Sequence, residues 1–264
     1  MKQAVYPNVA FKDYLAIPAV SNSYLGRLDK CPAKAKVEQG ETPSLILGRA
    51  VHKMVLEGVA AFTEDFATVA NCDKRTKEGK AIWAEVVEQA NGKQILSFDD
   101  HQKITEIYRA VKSHPFASKL LSETVTEQTV IWTDTETGLP CKARPDAVPD
   151  EGKMILTDLK STADADEFAF TRSIVKYGYA RQGAFYIDGY NAVRGTKIDS
   201  FIVIAVETEA PFRTEVYLLN DDFIRYGREE YRRLLRIEKQ CRETNFYPHY
   251  QNQGITQIFK PNYL

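Results

Sequence analysis

The chain has 264 residues, 44% hydrophobic and 27% charged, enough apolar material to bury a substantial core. Its 35 Lys and Arg against 36 Asp and Glu leave a formal charge of −1, which excludes a globally basic coat for nucleic acid. Any anionic ligand must then meet a local basic surface. Four cysteines, at 31, 72, 141 and 241, lack CxxC spacing. With no signal-like N-terminus and no apolar run of about eighteen residues, a cytoplasmic, reducing setting without a membrane span is expected. No repeat or low-complexity tract divides the sequence. Residues 1–264 therefore read as one domain, helical to about residue 120 and sheet-bearing from about 121 onward.

Ser21-Asn22-Ser23 can cap a short helix running to about Lys30, and Pro32 follows it. Ser44 reads as the N-cap of a helix from Leu45 to Glu57, closed by Gly58. Two more helices are expected over 76–92 and 99–113, where Ile82, Val86 and Val87, then Ile104, Ile107, Tyr108 and Val111, recur at helical spacing. At Thr124 the period changes. Thr124 to Trp132 is rich in β-branched residues, and Thr135-Glu136-Thr137-Gly138 supplies a turn before a second strand, Cys141 to Val148. Another turn, Pro149-Asp150-Glu151-Gly152, leads into Met154 to Lys160, so a three-stranded meander is expected. Residues 171–193 return to helix, 200–207 and 215–219 read as strands, and 222–244 as a long helix capped by Asp221. The pattern predicts an α/β (α+β) fold, a central mixed sheet flanked by helices.

The meander concentrates the chemistry. A hairpin turning at about Glu151-Gly152 brings Asp146 within about a residue of Asp158 across the ladder. Asp158 and Lys160 leave their strand on one face, as do Arg144 and Asp146 on theirs. Like charges so placed repel unless compensated, and a hard divalent cation is the usual compensation. A surface hairpin with two solvated ion pairs is the plainer alternative.

Arg144-Pro145-Asp146-Ala147-Val148 followed by Asp158-Leu159-Lys160-Ser161-Thr162 resembles the PD-(D/E)xK nuclease signature. Gly48-Arg49-Ala50-Val51-His52 resembles the helix motif ending in a metal-contacting His of the branch that holds RecB-type and lambda-type exonucleases. Glu127 stands on the preceding strand, where that branch carries an acid, and Gln182 and Tyr186 match its Q-x-x-x-Y motif. Taken in order over residues 48–186, the motifs are similar to those of RecE-like exonucleases, the exodeoxyribonuclease VIII group.

That resemblance implies a restriction-endonuclease-like core with a metal held by His52, Asp146, Asp158 and the Leu159 carbonyl, Glu127 helping through water or a second ion. It implies magnesium, with manganese as an alternative because imidazole is an unusual magnesium ligand. Lys160 would orient or deprotonate the attacking water, or act as a cationic clamp. Gln182 and Tyr186 would hold the DNA backbone or Lys160, or simply pack helix on sheet. Arg27, Arg49, Arg144 and Ser161 are the implied DNA contacts, Arg144 being equally placed to pair with Asp146. Gly48 is expected to let another strand approach while His52 points into the site. The implied activity is magnesium-dependent 5′ to 3′ degradation of linear double-stranded DNA. It leaves 3′ tails for recombination and is carried out by a homo-oligomeric ring, a tetramer being favoured, with a single-strand annealing protein as partner. A DNA endonuclease of the same fold, or a nuclease-fold DNA-binding module without catalysis, is the alternative. A two-carboxylate glycosidase would need neither Lys160 nor the His52 helix.

Two features stand apart. Cys31-Pro32 resembles the start of the iron–sulfur nucleases related to RecB, but only Cys241 lies toward the C-terminus, so no cluster is expected and Cys31 reads as a small buried residue at a helix end. The last helix carries Arg225, Arg228, Arg232, Arg233, Arg236, Lys239 and Arg242, a stripe that either tracks phosphates or forms a charge-laced solvent face. Arg27, Lys30, Lys34 and Lys36 make a second basic group near the His52 helix.

Overall fold

The computed structural model describes residues 2–37, 40–69, 72, 75–122, 124–149, 154–249, 255 and 257–260. Strand β1 (Ala4–Tyr6) and helix α1 (Phe11–Ala16) open the chain. Helix α2 (Asn22–Lys30) starts where expected, with the Ser21 side chain accepting from the Tyr24 amide, and α3 (Pro32–Ala35) follows. Buried Cys31 sits at the end of α2. Helix α4 (Pro43–His52) is capped by Thr42 rather than Ser44: Pro43 fills the first turn, where its missing N–H goes unneeded, and Thr42 Oγ1 accepts from the Leu45 amide. It widens into a π-helical turn, Lys53–Glu57, and turns at Gly58 into α5 (Gly58–Asp65). Strand β2 (Phe66–Thr68), α6 (Lys77–Ala90), β3 (Gln94–Leu96), α7 (Phe98–Ser113) and α8 (Pro115–Ser122) complete this half.

The first two of the three strands expected in the meander are each broken in two, while the third is continuous. The first divides into β4 (Thr124–Thr126) and β5 (Thr129–Thr133), the second into β6 (Pro140–Ala143) and β7 (Ala147–Pro149). The breaks lie side by side, with the Glu127 amide bonded to the Asp146 carbonyl at 3.1 Å. Two local causes coincide there. Pro145 has no N–H for a ladder, and Glu127 adopts φ 56°, a left-handed conformation uncommon outside glycine. Beyond the break β5 and β6 pair with β1, in the order β1-β5-β6. Before it β4 and β7 join a five-stranded sheet with β8 (Ile155–Thr162), β9 (Ser200–Glu207) and β10 (Thr214–Leu219), in the order β10-β9-β8-β7-β4. Only β8 and β9 run parallel in that sheet, so it is mixed, as expected. Of the turn expected at 149–152, Pro149 ends β7 and residues 150–152 lie outside the described residues. Ala147 faces Thr157, which sets Asp146 next to the level of Asp158, close to the expected register.

The helix expected over 171–193 is two helices, α9 (Glu167–Tyr177) and α10 (Tyr179–Arg194), divided by Gly178 at φ 68°. Helix α11 (Asp221–Thr244) is capped by Asn220, whose side chain accepts from the Phe223 amide, rather than by Asp221. Successive residues of the central strands feed two cores. Leu156, Phe201, Val203 and Ala205 face α2, α10 and α11, while Leu159, Ile204 and Val206 face α4, α7 and α8. Each such buried Leu, Ile or Phe contributes about 1.5–3 kcal/mol. Asp158 and Lys160 share the Leu156 face and so lie under α10. Among the described residues, no helix is long and apolar enough to cross a membrane.

Helices α10 and α11 cross very closely at Gly227, where a Cβ would lie 2.1 Å from the Ala180 carbonyl oxygen. Gly227→Ala is therefore expected to push α11 off the start of α10 and destabilise the fold by about 1–3 kcal/mol. Thermal melting checks this, and a wild-type Tm would contradict the close crossing.

Candidate active site

The site forms where the β7–β8 ladder stops. Past the Ala147–Thr157 pair, the Leu159 N–H and C=O lack a strand partner on that side, and two side chains take their place. The Leu159 amide donates to Asp146 Oδ2 at 2.7 Å. His52, the last residue of α4, sets its Nε2 2.9 Å from the Leu159 carbonyl oxygen. A carbonyl only accepts, so Nε2 carries the proton and Nδ1 presents a lone pair. That lone pair lies 3.6 Å from Asp146 Oδ1. Burial, reinforced by Lys160, pushes the His52 pKa below its ordinary value and keeps the ring neutral.

Glu127, turned inward by its left-handed backbone, completes the group: His52, Glu127 and Asp146 offer ligand atoms within 4.8 Å of one another. Burial, then the Asp158 charge, raises the Asp146 carboxyl well above the ordinary carboxylate range, and burial, then Asp146, raises Glu127. A neutral imidazole lone pair and two mutually repelling carboxylates facing one small space fit a divalent cation, which would relieve all three at once. His52, Glu127 and Asp146 are the residues placed to hold it.

Asp158, 1% exposed, stands beside this group rather than within it. Its Oδ1 accepts from Gln182 Nε2 at 2.7 Å, and its Oδ2 lies 2.5 Å from Lys160 Nζ. Oδ2 has no well-angled hydrogen bond among the described residues, so the Lys160 contact is an ion pair that leaves acceptor capacity unused. Burial pulls the Lys160 pKa down, but Asp158 and Asp146 outweigh it and hold the pKa above the ordinary lysine value. Lys160 is a cation at neutral pH.

Arg144 differs from expectation. It pairs with Glu127 instead of Asp146 and donates to the Val9 carbonyl at 2.7 Å, because the break at Pro145 turns it toward the N-terminal segment. Gly48 admits no strand: a Cβ there would meet nothing within 4 Å among the described residues, and the residue lines the open cleft instead. The cleft, ≈ 1910 Å³, is larger than the roughly 300–1,000 Å³ of small-molecule sites. His52, Glu127, Asp146, Leu159, Lys160, Gln182 and Tyr186 line it together with Arg27, Arg49, Arg144 and Ser161. Arg49 pairs with Glu41 at 2.5 Å, and Arg27 lies 5.7 Å from the Tyr24 ring. Tyr186 also packs its ring edge on Phe201, 6.5 Å between centroids.

The basic stripe of α11 is largely neutralised within the fold. Arg228 meets Asp188 at 2.8 Å, Arg233 meets Asp29 at 2.6 Å, Arg236 meets Glu136 at 2.7 Å and Arg242 meets buried Glu238 at 2.7 Å. Three cleft features escaped the sequence reading. Helix α1 forms a wall, anchored by buried Lys142, which donates to the Tyr14, Leu15 and Ile17 carbonyls at 2.8, 3.0 and 2.8 Å. The Phe11 and Tyr14 rings flank Arg144 at 5.9 and 5.8 Å, and Tyr179 lies against Lys160. Only Tyr179 had a local cue, the glycine before it.

The sequence profile of a protein family described as a PDDEXK-like domain of unknown function (DUF3799) matches residues 21–257. The chain belongs to that family. The matched span includes Pro145-Asp146 and Asp158, Leu159 and Lys160, and nucleases of the PDDEXK type generally depend on a divalent metal. Among solved structures, a protein from Eubacterium rectale described as a candidate exonuclease is similar to this PDDEXK-like chain. Its TM-score is 0.62 at 14% identity, covering 97% of each chain. An alkaline exonuclease from Laribacter hongkongensis has a TM-score of 0.32 at 15% identity, covering 70% of this chain and 95% of its own. At 14% identity the likeness to the Eubacterium rectale protein is one of fold alone. No curated protein matches the chain.

Proposed function

We propose that this PDDEXK-like protein is a divalent-metal-dependent exodeoxyribonuclease acting on linear double-stranded DNA, with magnesium, or manganese in its stead, at the His52, Glu127 and Asp146 cluster and Asp158 beside it. The observation that carries the reading is the convergence of an imidazole lone pair and the Glu127 and Asp146 carboxylates beside the Lys160–Asp158 ion pair, in a cleft larger than most small-molecule sites. A bound divalent ion would supply Lewis-acid neutralisation of the phosphate and a water of lowered pKa.

The chain's own residues do the rest. Lys160 brings positive charge against the non-bridging phosphate oxygens, where negative charge grows in the transition state. Gln182 fixes the Asp158 carboxylate, and Asp158 in turn steers Lys160. Arg144, held by Glu127, ties the acid cluster to the N-terminal wall. Attack from the 5′ end, a ring-shaped homo-oligomer, tetrameric by preference, and supply of 3′ tails to a single-strand annealing protein are parts of the proposal supported by the RecE-like motif order. So is a single catalytic domain over 1–264.

The test is incubation of purified protein with linear, nicked and closed-circular duplex, in magnesium, manganese or chelator, beside Asp158→Ala. Metal-dependent loss of linear DNA alone, absent in the variant, is the expected result, with 5′-end label released first. Opened circles would mean an endonuclease. DNA left intact but bound would mean a binding module.

A further inference from the structure

The first turn of α10 grips both ends of one ion pair. Tyr179 and Gln182, three residues apart, leave the helix on the same side. Gln182 holds Asp158 Oδ1, while Lys160 Nζ lies 5.1 Å from the centroid of the Tyr179 ring. An ammonium over an aromatic face is drawn to the ring's negative quadrupole, more strongly where water is excluded. The Lys160 side chain is 18% exposed, enough to open on the cleft but little enough to favour that attraction.

The ring is itself fixed. Phe170, fully buried, packs against it at 6.0 Å and is stacked in turn on Tyr217 at 5.3 Å, while Tyr177 stacks on it at 5.8 Å. Behind it, Arg181 anchors the same turn to α2 through Asn22 Oδ1 at 3.0 Å. Lysine has a flexible four-carbon stem, and Asp158 alone would draw its ammonium into the sheet. The Tyr179 ring gives that ammonium a second contact where both residues line the cleft.

We propose that Tyr179 is a positioning residue for Lys160, acting through its ring face and not its hydroxyl. This rests on the nuclease reading. The experiment is steady-state hydrolysis of linear duplex by wild type, Tyr179→Phe, Tyr179→Leu and Tyr179→Met, with the manganese-induced rise in Tm measured on each. Two non-aromatic variants are used so that a folding defect in one does not stand in for the effect. Phe should keep kcat within about twofold, while Leu and Met lose about tenfold in kcat with KM nearly unchanged and the manganese-induced rise intact.

Equal kcat for wild type and the non-aromatic variants would overturn the inference. So would a Phe variant as slow as Leu, which would assign the role to the hydroxyl, or a loss confined to KM, which would make Tyr179 a substrate contact. A wild type that leaves DNA intact would overturn the nuclease reading and this inference with it. An active wild type matched by Tyr179→Leu would overturn this inference alone.

Discussion

Replacing Lys160 by methionine lowers kcat for DNA hydrolysis by about 10²–10³-fold, the usual cost of removing one preorganised charge from a water-poor site. The loss should fall on kcat more than on KM, because the phosphate gains negative charge only as the transition state forms. The fold should survive, since methionine has nearly the same reach, but Asp158 is then left with a buried Oδ2 and no cation beside it. Asp158→Asn should show the reciprocal defect. It keeps an acceptor for Gln182 while freeing the lysine, and activity should fall into the same range. Equal kcat for wild type and Lys160→Met would remove the lysine from the chemistry.

The second large effect is on stability and runs against intuition: Asp146→Asn should stabilise the metal-free protein. Burial and the Asp158 charge raise the Asp146 carboxyl far above its ordinary value of 3.8, with Glu127 raised beside it. A carboxyl whose pKa is higher folded than unfolded binds extra protons in the folded state. In chelator, wild-type stability therefore rises as pH falls from neutrality through the raised pKa, and stops rising below the ordinary carboxylate range, where both states are protonated. An asparagine still accepts from the Leu159 amide but carries no charge. It should raise stability near pH 7 by about 1–3 kcal/mol and flatten the pH dependence. Metal works the other way, since an ion at 100 times its Kd adds about 2.7 kcal/mol to a protein that binds it, enough to offset most or all of the variant's gain. Thermal melts of both proteins from pH 5 to 8, in chelator and in manganese, check each sign.

How much of this could be read from residues alone follows from what is local. The β-branched runs at 129–133 and 200–207 and the period-two spacing of Asp158 and Lys160 needed no tertiary information, so strand, face and approximate register came through. The bend at Glu127 did not. Thr124 to Trp132 contains no glycine or proline to mark a break, and a left-handed glutamate is held only by what surrounds it. Together with Pro145, that backbone conformation divides the hairpin between two sheets and leaves Arg144 paired with Glu127 rather than Asp146. Helix α1 was missed for a similar reason: six residues gain their C-terminal cap from Lys142, far along the chain. The α11 stripe suggested a phosphate track because its acidic partners, Asp29, Glu136 and Asp188, come from other elements. Thr42 and Ser44, like Asn220 and Asp221, are rival caps of similar chemistry, and only Pro43 offered a cue between the first pair.

Everything proposed for the reaction depends on one divalent ion seated among His52, Glu127 and Asp146. Titration of chelator-stripped protein with manganese, followed by the paramagnetic resonance of the free ion, measures that seat without reference to DNA. Saturable binding by the wild type, weakened about 100-fold or more in Asp146→Asn, is the predicted result. A wild type that leaves the manganese signal unchanged, or a variant that binds as tightly as the wild type, would contradict it.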